Sequence, residues 1–491
     1  MKQVLLFVLL GLSVSAQQEY EEFERLCDHP SPSKRVQAIY KIRGFGDLRS
    51  TRKIAQFFAD RHPRVRYRAV LALKGLKDQQ AIKWLASNAL RDRRASIRSG
   101  AAWVLGILKD PCAIDGLKRC LRDPQEDVRL QAVCALGLIG DPDSLDAIRR
   151  VFLKETSSKV RAFALEAIAK IDPQDKLIQQ AITDRAYRVR MVAMESLASL
   201  GGKPAESAIQ RLIDDPDWRV RAQAVKAALS VRTKACISAL IGRLPKEKGR
   251  LINDISSAVC KLAGIDIEPE GLKAWWEKNR EKVKIAQADV ETPPRLRQTG
   301  VEFVGVPVVS NRVIFVLDLS GSMRDKVKDE KGRQISRLEI AKRQMIETIQ
   351  GFDEQDHFNI VLLGCDKFGR YDRRQKTWRR GLTRATARNK REAIAFIRRQ
   401  RAVGWTNIYD ALAQAFEDPL VDTIYLLSDG GASRGIFVST HDILEHIKRL
   451  NRFRNIVIHT IETKATTRDN QRLMRELASV TGGVYKPYST R

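Results

Sequence analysis

The period of the apolar positions changes near residue 300. Before it, a small residue and a larger aliphatic one recur four apart behind an arginine, in the pattern Arg-x-x-Ala-x-x-x-(Leu/Ile). Copies stand at Arg35/Ala38/Ile42, Arg66/Ala69/Leu73, Arg98/Ala101/Leu105, Arg129/Ala132/Leu136, Arg161/Ala164/Ile168 and Arg190/Ala193/Leu197. A seventh, Arg221/Ala224/Ala228, carries Leu229 one place late. Residues four apart share a helical face, and the small one lets a neighbouring helix come close. The arginines are 31, 32, 31, 32, 29 and 31 residues apart, and an acid precedes each but the first by six: Asp60, Asp92, Asp123, Glu155, Asp184 and Asp215. Each copy also has a preceding apolar stretch, such as A-I-K-W-L-A-S-N-A-L at 81–90. The unit therefore reads as a helical pair that cannot bury its face alone and must stack on the next, which predicts an all-α superhelical solenoid.

Beyond residue 311 the pattern becomes continuous apolar runs alternating with helical periodicity: R-V-I-F-V-L-D (312–318), H-F-N-I-V-L-L-G (357–364), V-D-T-I-Y-L-L-S-D-G (421–430) and N-I-V-I-H-T-I-E (455–462). Such runs predict a doubly wound, mostly parallel α/β sheet covered on both faces. One intervening helix is marked by a capping box, Ser336 with Glu339, and an apolar face of Leu338, Ala341, Met345 and Ile349. Between the two textures, E-G-L-K-A-W-W-E-K-N-R reads as an amphipathic helix. Its Trp275 and Trp276 either cover the open end of the solenoid or form a ligand platform. Residues 284–310, with Pro293-Pro294 and no periodicity, read as a linker.

The repeated unit resembles the HEAT-like repeats of the short bacterial type over about residues 19 to 264, being shorter than the ~40–47 residues of ordinary HEAT repeats. The acid and arginine are similar to the ladder with which such repeats tie neighbouring units together, so these charges are read as structural, with anion binding the alternative. The expected layout is a signal peptide at 1–16, a solenoid with a terminal capping helix at 19–283, the linker, and a separate α/β domain at 311–491.

The second strand-like texture carries the chemistry. The first run ends in Asp318-Leu-Ser320-Gly-Ser322, which sets oxygen-bearing side chains at alternate positions of one tight loop. Oxygen donors of this kind suit a hard cation such as Mg²⁺ rather than zinc or copper. Alone, D-x-S-x-S is equally a helix cap. Two more pieces follow in order: Gly404-Trp405-Thr406 before a helix, and Ser428-Asp429-Gly430 at a strand end. Here the chain resembles the von Willebrand factor type A domain, over about residues 310 to 487, and the pieces match that family's metal-ion-dependent adhesion site. The resemblance implies hydroxyl ligands from Ser320, Ser322 and Thr406, with Asp318 and Asp429 binding directly or through water. The cofactor it implies is Mg²⁺, with Mn²⁺ or Ca²⁺ as substitutes. It also implies a partner's acidic side chain completing the shell, and a last helix near 470–481 that shifts on binding. The pairing with HEAT-like repeats behind a signal sequence resembles exported bacterial proteins.

Composition adds location and a second interaction. Lys2, the apolar run Val4–Leu12 and small residues up to Ala16 read as a secretory signal, too short for the ~20 residues of a spanning helix. The mature chain is thus expected outside the cytoplasm, periplasmic or secreted, starting near Gln17. The seven cysteines include no C-x-x-C pair; Cys112 and Cys120 are the candidates for a disulfide. The net charge of +29 is concentrated, with 14 basic against 2 acidic residues between Lys367 and Arg401. Arg373, Arg374, Arg379 and Arg380 are the candidates there for anion binding. Such a surface steers an acidic partner or is merely a solvated face. Anionic envelope polymers and lipid headgroups fit an exported protein better than nucleic acid, for which no module is present. No base, nucleophile motif or phosphate loop accompanies the oxygen cluster, so a binding protein rather than an enzyme is expected.

Overall fold

The computed structural model describes residues 21–286, 296, 300–328, 333–364, 375–463 and 467–487. The expected signal peptide, Pro293-Pro294, Cys365, Arg373 and Arg374 lie outside the described residues. The chain divides into two compact units, Met1–Leu200 and Gly201–Arg491. Among the described residues no helix is long and apolar enough to cross a membrane.

The first unit is a stack of helical pairs, in which the helices Pro63–Ala72, Ala95–Leu108, Glu126–Ile139, Ser158–Ile171 and Tyr187–Leu200 carry the repeated motif. The motif alanines, Ala69, Ala101, Ala132, Ala164 and Ala193, are wholly buried. Close approach goes further than they require. A Cβ on Gly106 would lie 2.7 Å from Ala135 Cα, and one on Gly137 2.7 Å from Ala167 Cβ.

The charges form the expected ladder. Arg98 donates from Nε and Nη2 to Asp123 of the next unit at 2.6 and 2.8 Å, and Arg129 to Glu155 at 2.7 and 3.0 Å. Arg35–Asp60 and Arg161–Asp184 repeat the pairing. The third guanidinium nitrogen of Arg98 and Arg129 donates to the carbonyl of the acid six residues earlier, Asp92 or Asp123, at 2.8 Å. For Arg35, which has no such acid, the carbonyl of His29 takes that place at 2.7 Å. Each carboxylate also accepts a backbone N–H at the start of its helix, Gln125 to Asp123 at 2.9 Å for example. One acid thus caps its own unit and holds its neighbour, which is why its spacing from the arginine is invariant. Cys112 and Cys120 are both free, the first exposed and the second buried.

The second unit opens with further helices, Gly202–Leu212, Trp218–Val231, Lys234–Arg243 and Arg250–Ala263. The ladder ends here on Arg221, whose partner is Glu247, an acid with no arginine six residues on. The helix Pro269–Asn279 packs on the last two by Leu272, with Trp275 and Trp276 half-buried beside each other.

The strands are β1 Glu302–Phe303, β2 Val306–Pro307, β3 Arg312–Asp318, β4 Lys326–Lys328, β5 Gln334–Ser336, β6 His357–Leu363, β7 Lys376–Thr377, β8 Thr383–Arg384, β9 Thr423–Ser428, β10 Val457–Glu462 and β11 Tyr485–Pro487. The main sheet runs β11-β10-β9-β3-β6-β7, with β8 also on β6. All pairings from β11 to β6 are parallel, and β7 and β8 are antiparallel to β6. Both faces are buried, as continuous apolar strands require. Val313, Phe315, Leu317, Phe358, Ile360 and Leu427 pack with Met345, Ile349, Ala393 and Ile397 of the helices Arg337–Gly351 and Ala387–Arg398. The alternate residues Ile314, Val316, Val361, Ile424, Leu426 and Ile458 are equally covered. Residues 302–307, expected within a linker, instead form the β1–β2 hairpin, and Phe303 is wholly buried against Phe315 and Tyr425. Its apolar signal is only two short pieces, too little for periodicity to register.

Candidate metal centre

Strands β6 and β9 flank β3 on opposite sides, so the chain leaves β3 and β9 in opposite directions and a crevice opens beyond their carboxyl ends. The register pairs Leu317 with Leu427, which brings Asp318 beside Ser428 and Asp429. Asp318 is fully buried: Oδ1 accepts the Ser320 amide at 2.7 Å and Oδ2 the Ser428 hydroxyl at 2.6 Å. Ser320 and Ser322 stand with hydroxyls 3.0 Å apart, and Ser322 Oγ donates to Asp429 Oδ2 at 2.7 Å. Four of the five expected ligands, Asp318, Ser320, Ser322 and Asp429, thus meet in one cluster.

Thr406 comes from a loop joined to this cluster through the backbone. The Gly321 amide donates to Gly404 O at 3.1 Å, and the Val403 amide to Leu319 O at 2.6 Å. Thr406 is 5% exposed, its amide donates to Ser433 Oγ at 3.0 Å, and its carbonyl accepts the Ser433 and Arg434 amides. Its hydroxyl takes part in none of these bonds. Gly430 closes the third loop at φ 75°, where a Cβ would lie 2.6 Å from Asn470 O, so the turn after Asp429 packs directly on the helix Arg468–Thr481.

Burial, and next the charge of Asp429, push the Asp318 carboxyl up to about 6. Two carboxylates and the hydroxyls of Ser320, Ser322 and Ser428 share the crevice, and among the described residues no cationic side chain is bonded to either acid. Among the described residues no group of three or more His, Cys, Asp or Glu could hold a metal ion. A mixed set of two carboxylates with neutral hydroxyls is a different donor chemistry, all oxygen, and it fits a hard divalent cation that retains some of its water.

Sequence reasoning left Ser428 and Ser433 without a role. Ser428 lies inside the S-D-G piece and could have been found as the strand residue opposite Asp318. Ser433, in G-A-S-R, carries no local signal. Arg379 binds Glu392, and its guanidinium lies over Trp378, 5.1 Å from the ring centroid, so its partners lie outside the three loops. Arg380 is exposed. Other cations stand at the loops: Arg434 over the half-exposed Trp405 at 4.9 Å, and Arg324, whose Nε donates to Ala402 O at 2.8 Å.

The von Willebrand factor type A domain family matches residues 311–486, and the HEAT repeat family matches five overlapping stretches within 23–255. The chain carries HEAT repeats followed by a type A domain. Inter-alpha-trypsin inhibitor heavy chain H3 of Homo sapiens is 28% identical over 143 residues, 27% of this chain and 14% of that protein. The von Willebrand factor A domain-containing protein 3B of Homo sapiens is 25% identical over 229 residues, 46% of this chain and 15% of its own. The chain therefore spans only 14% and 15% of the length of these curated relatives. Among solved structures, a von Willebrand factor type A protein from Catenulispora acidiphila is 18% identical, covering 36% of this chain and 38% of that one at a TM-score of 0.28. Type A domains and HEAT repeats both serve generally in protein–protein interaction.

Proposed function

We propose that the type A domain binds an acidic side chain of a partner protein through a divalent cation held by Asp318, Ser320, Ser322, Thr406 and Asp429. The observation that carries this reading is the oxygen cluster at the carboxyl ends of β3 and β9: two carboxylates and serine hydroxyls within hydrogen-bonding distance, with the Thr406 loop tied to it by the Gly321–Gly404 and Val403–Leu319 backbone bonds. A bound Mg²⁺ would supply a partly neutralised positive charge with an exchangeable coordination position. Ser428 holds the Asp318 carboxylate in orientation, the Ser320 amide fixes its second oxygen, and Ser433 sets the Thr406 loop. The second reading is metal-independent attraction of anionic polymers, lipid headgroups or nucleic acid by the basic surface, on the charge of +29.

On this reading the mature chain begins near Gln17 and works outside the cytoplasm, and N-terminal sequencing of the cell-envelope fraction would test that. The metal reading is tested by titrating Mg²⁺ and Mn²⁺ into the chelator-stripped protein by calorimetry, together with capture of partners from envelope extract. One saturable site, lost in Asp318→Ala and weakened in Thr406→Ala, with capture abolished by EDTA, supports it. Capture indifferent to EDTA and to Asp318→Ala but abolished by salt would transfer the function to the basic surface.

A further inference from the structure

The cations of the solenoid fall into two populations. Those of the ladder are paired, each to a carboxylate of the neighbouring unit and to a carbonyl. A second group, Lys118, Arg119, Arg122, Arg150 and Lys154, belongs to the first unit and shares the lining of one cavity of about 630 Å³. Arg119, Arg122, Arg150 and Lys154 are exposed, and none of the five has an ion-pair or side-chain hydrogen-bond partner among the described residues. The single acid in the cavity wall, Glu155, is already occupied, both its oxygens accepting from Arg129.

The placement follows from the repeat. Lys118 and Arg119 lie on the helix Ile114–Cys120 and Arg122 just beyond its end, while Arg150 and Lys154 are on Leu145–Lys154, the corresponding helix one unit on. Ala147, Arg150, Val151 and Lys154 share one face at helical spacing, so cations and apolar side chains meet in the same wall. Leu121, Ala147 and Val151 supply the apolar part of the lining, and Leu153 of the same helix is 64% exposed. Five positive groups lining one groove whose only acid is already paired with Arg129 repel one another, and packing alone gives no reason to keep them there.

We infer that this groove between successive repeats is a docking site for an acidic, amphipathic segment of a partner protein, independent of the metal centre. The cations match the carboxylates of such a segment, and the Leu121/Ala147/Val151 lining its apolar side chains. The apolar lining argues against a purely anionic polymer, and the recess against a flat membrane surface. The dimensions suit a few side chains rather than a whole domain face.

The test uses the full chain and a short fluorescein-labelled peptide of glutamate and leucine, arranged to be amphipathic as a helix, read by fluorescence anisotropy. Arg122→Glu/Arg150→Glu should weaken binding about tenfold or more, while Lys74→Glu/Lys77→Glu, an exposed pair outside the groove, should change it little. Val151→Asp should cost roughly fivefold through the apolar contact. Hydrogen exchange on the unmodified chain avoids any folding defect of a variant, and the peptide should protect the helices Ile114–Cys120 and Leu145–Lys154. Protection elsewhere, or equal loss in the control pair, overturns the inference. So does binding of polyglutamate of equal charge, inorganic polyphosphate or phosphatidylglycerol vesicles in the groove as tightly as the amphipathic peptide.

Discussion

Asp318 sits where an apolar strand ends, and the sheet that buries it makes its charge expensive. Its carboxyl is pushed from 3.8 up to about 6, first by burial and then by Asp429. A raised acid holds its proton in the folded chain while the unfolded chain has released it, so acidification through 6 towards 3.8 favours the fold, and the cost is in force above 6. In chelator, Asp318→Asn is therefore expected to be the more stable protein at pH 7, by up to roughly 3 kcal/mol. That advantage should shrink as the pH falls and disappear near pH 4. Saturating Mg²⁺ should reverse the order at pH 7, because a ligand that binds only the fold stabilises it. Thermal unfolding across pH, with and without metal, measures this, and a difference constant with pH would refute the assignment of the cost to the Asp318 charge. The residues at this site were legible because D-x-S-x-S, G-W-T and S-D-G follow one another in the order of a known family's site; the first piece alone also fits a helix cap. Ser433 was not, since a lone serine in a loop acquires its role only from the contact with Thr406.

Elements of the solenoid are joined by contacts whose worth depends on burial. Arg98 and Asp123 are 14% and 8% exposed, and removing the arginine strands a carboxylate that then caps only Gln125. Arg98→Ala should cost roughly 2–4 kcal/mol and lower the first thermal transition. Arg94, 41% exposed, paired with Asp92 in its own unit and donating to Gln56 Oε1 at 2.8 Å, should cost less than about 1 kcal/mol as Arg94→Ala. Equal effects of the two substitutions would show that the ladder is no stronger than a surface pair. The spacing of arginine and acid, repeated in every unit but the first, pointed to this ladder in the sequence through its resemblance to HEAT-like repeats. Gly106 and Gly137 escaped notice because a glycine inside a helical pattern reads as a weakness until the facing backbone of Ala135 or Ala167 is known to be there.

The two textures of the sequence do not coincide with the two compact units of the molecule. The helices from Gly202 to Asn279 belong with the sheet, and the contact is specific. Arg250, 3% exposed, donates to Asp422 O at 2.5 Å and Asn455 O at 2.8 Å, at the starts of β9 and β10. Lys226 donates to Asn455 Oδ1 at 2.8 Å, and Trp218 lies under both Arg250 and Arg312, with ring centroids 5.4 and 4.8 Å from the guanidinium carbons. Charged donors to buried carbonyls are worth about 1.5–3 kcal/mol each. Arg250→Ala should therefore raise hydrogen exchange at the N-terminal ends of β9 and β10 while the solenoid ladder stays protected. Unchanged exchange there would mean that the residue is not what joins the repeats to the sheet.

Period and spacing determined the helical repeat and the parallel sheet, because each depends on neighbours a fixed number of residues apart, while the arginine–acid ladder and the oxygen cluster after β3 were read from the sequence through resemblance to known families. Tertiary structure alone decided that Ser428 holds Asp318, that residues 302–307 join the core, that Arg250 reaches Asp422, and that five cations share one groove whose acid, Glu155, is already paired with Arg129. These depend on which distant segments the packing brings within a few ångströms, and no periodicity of the chain encodes that distance.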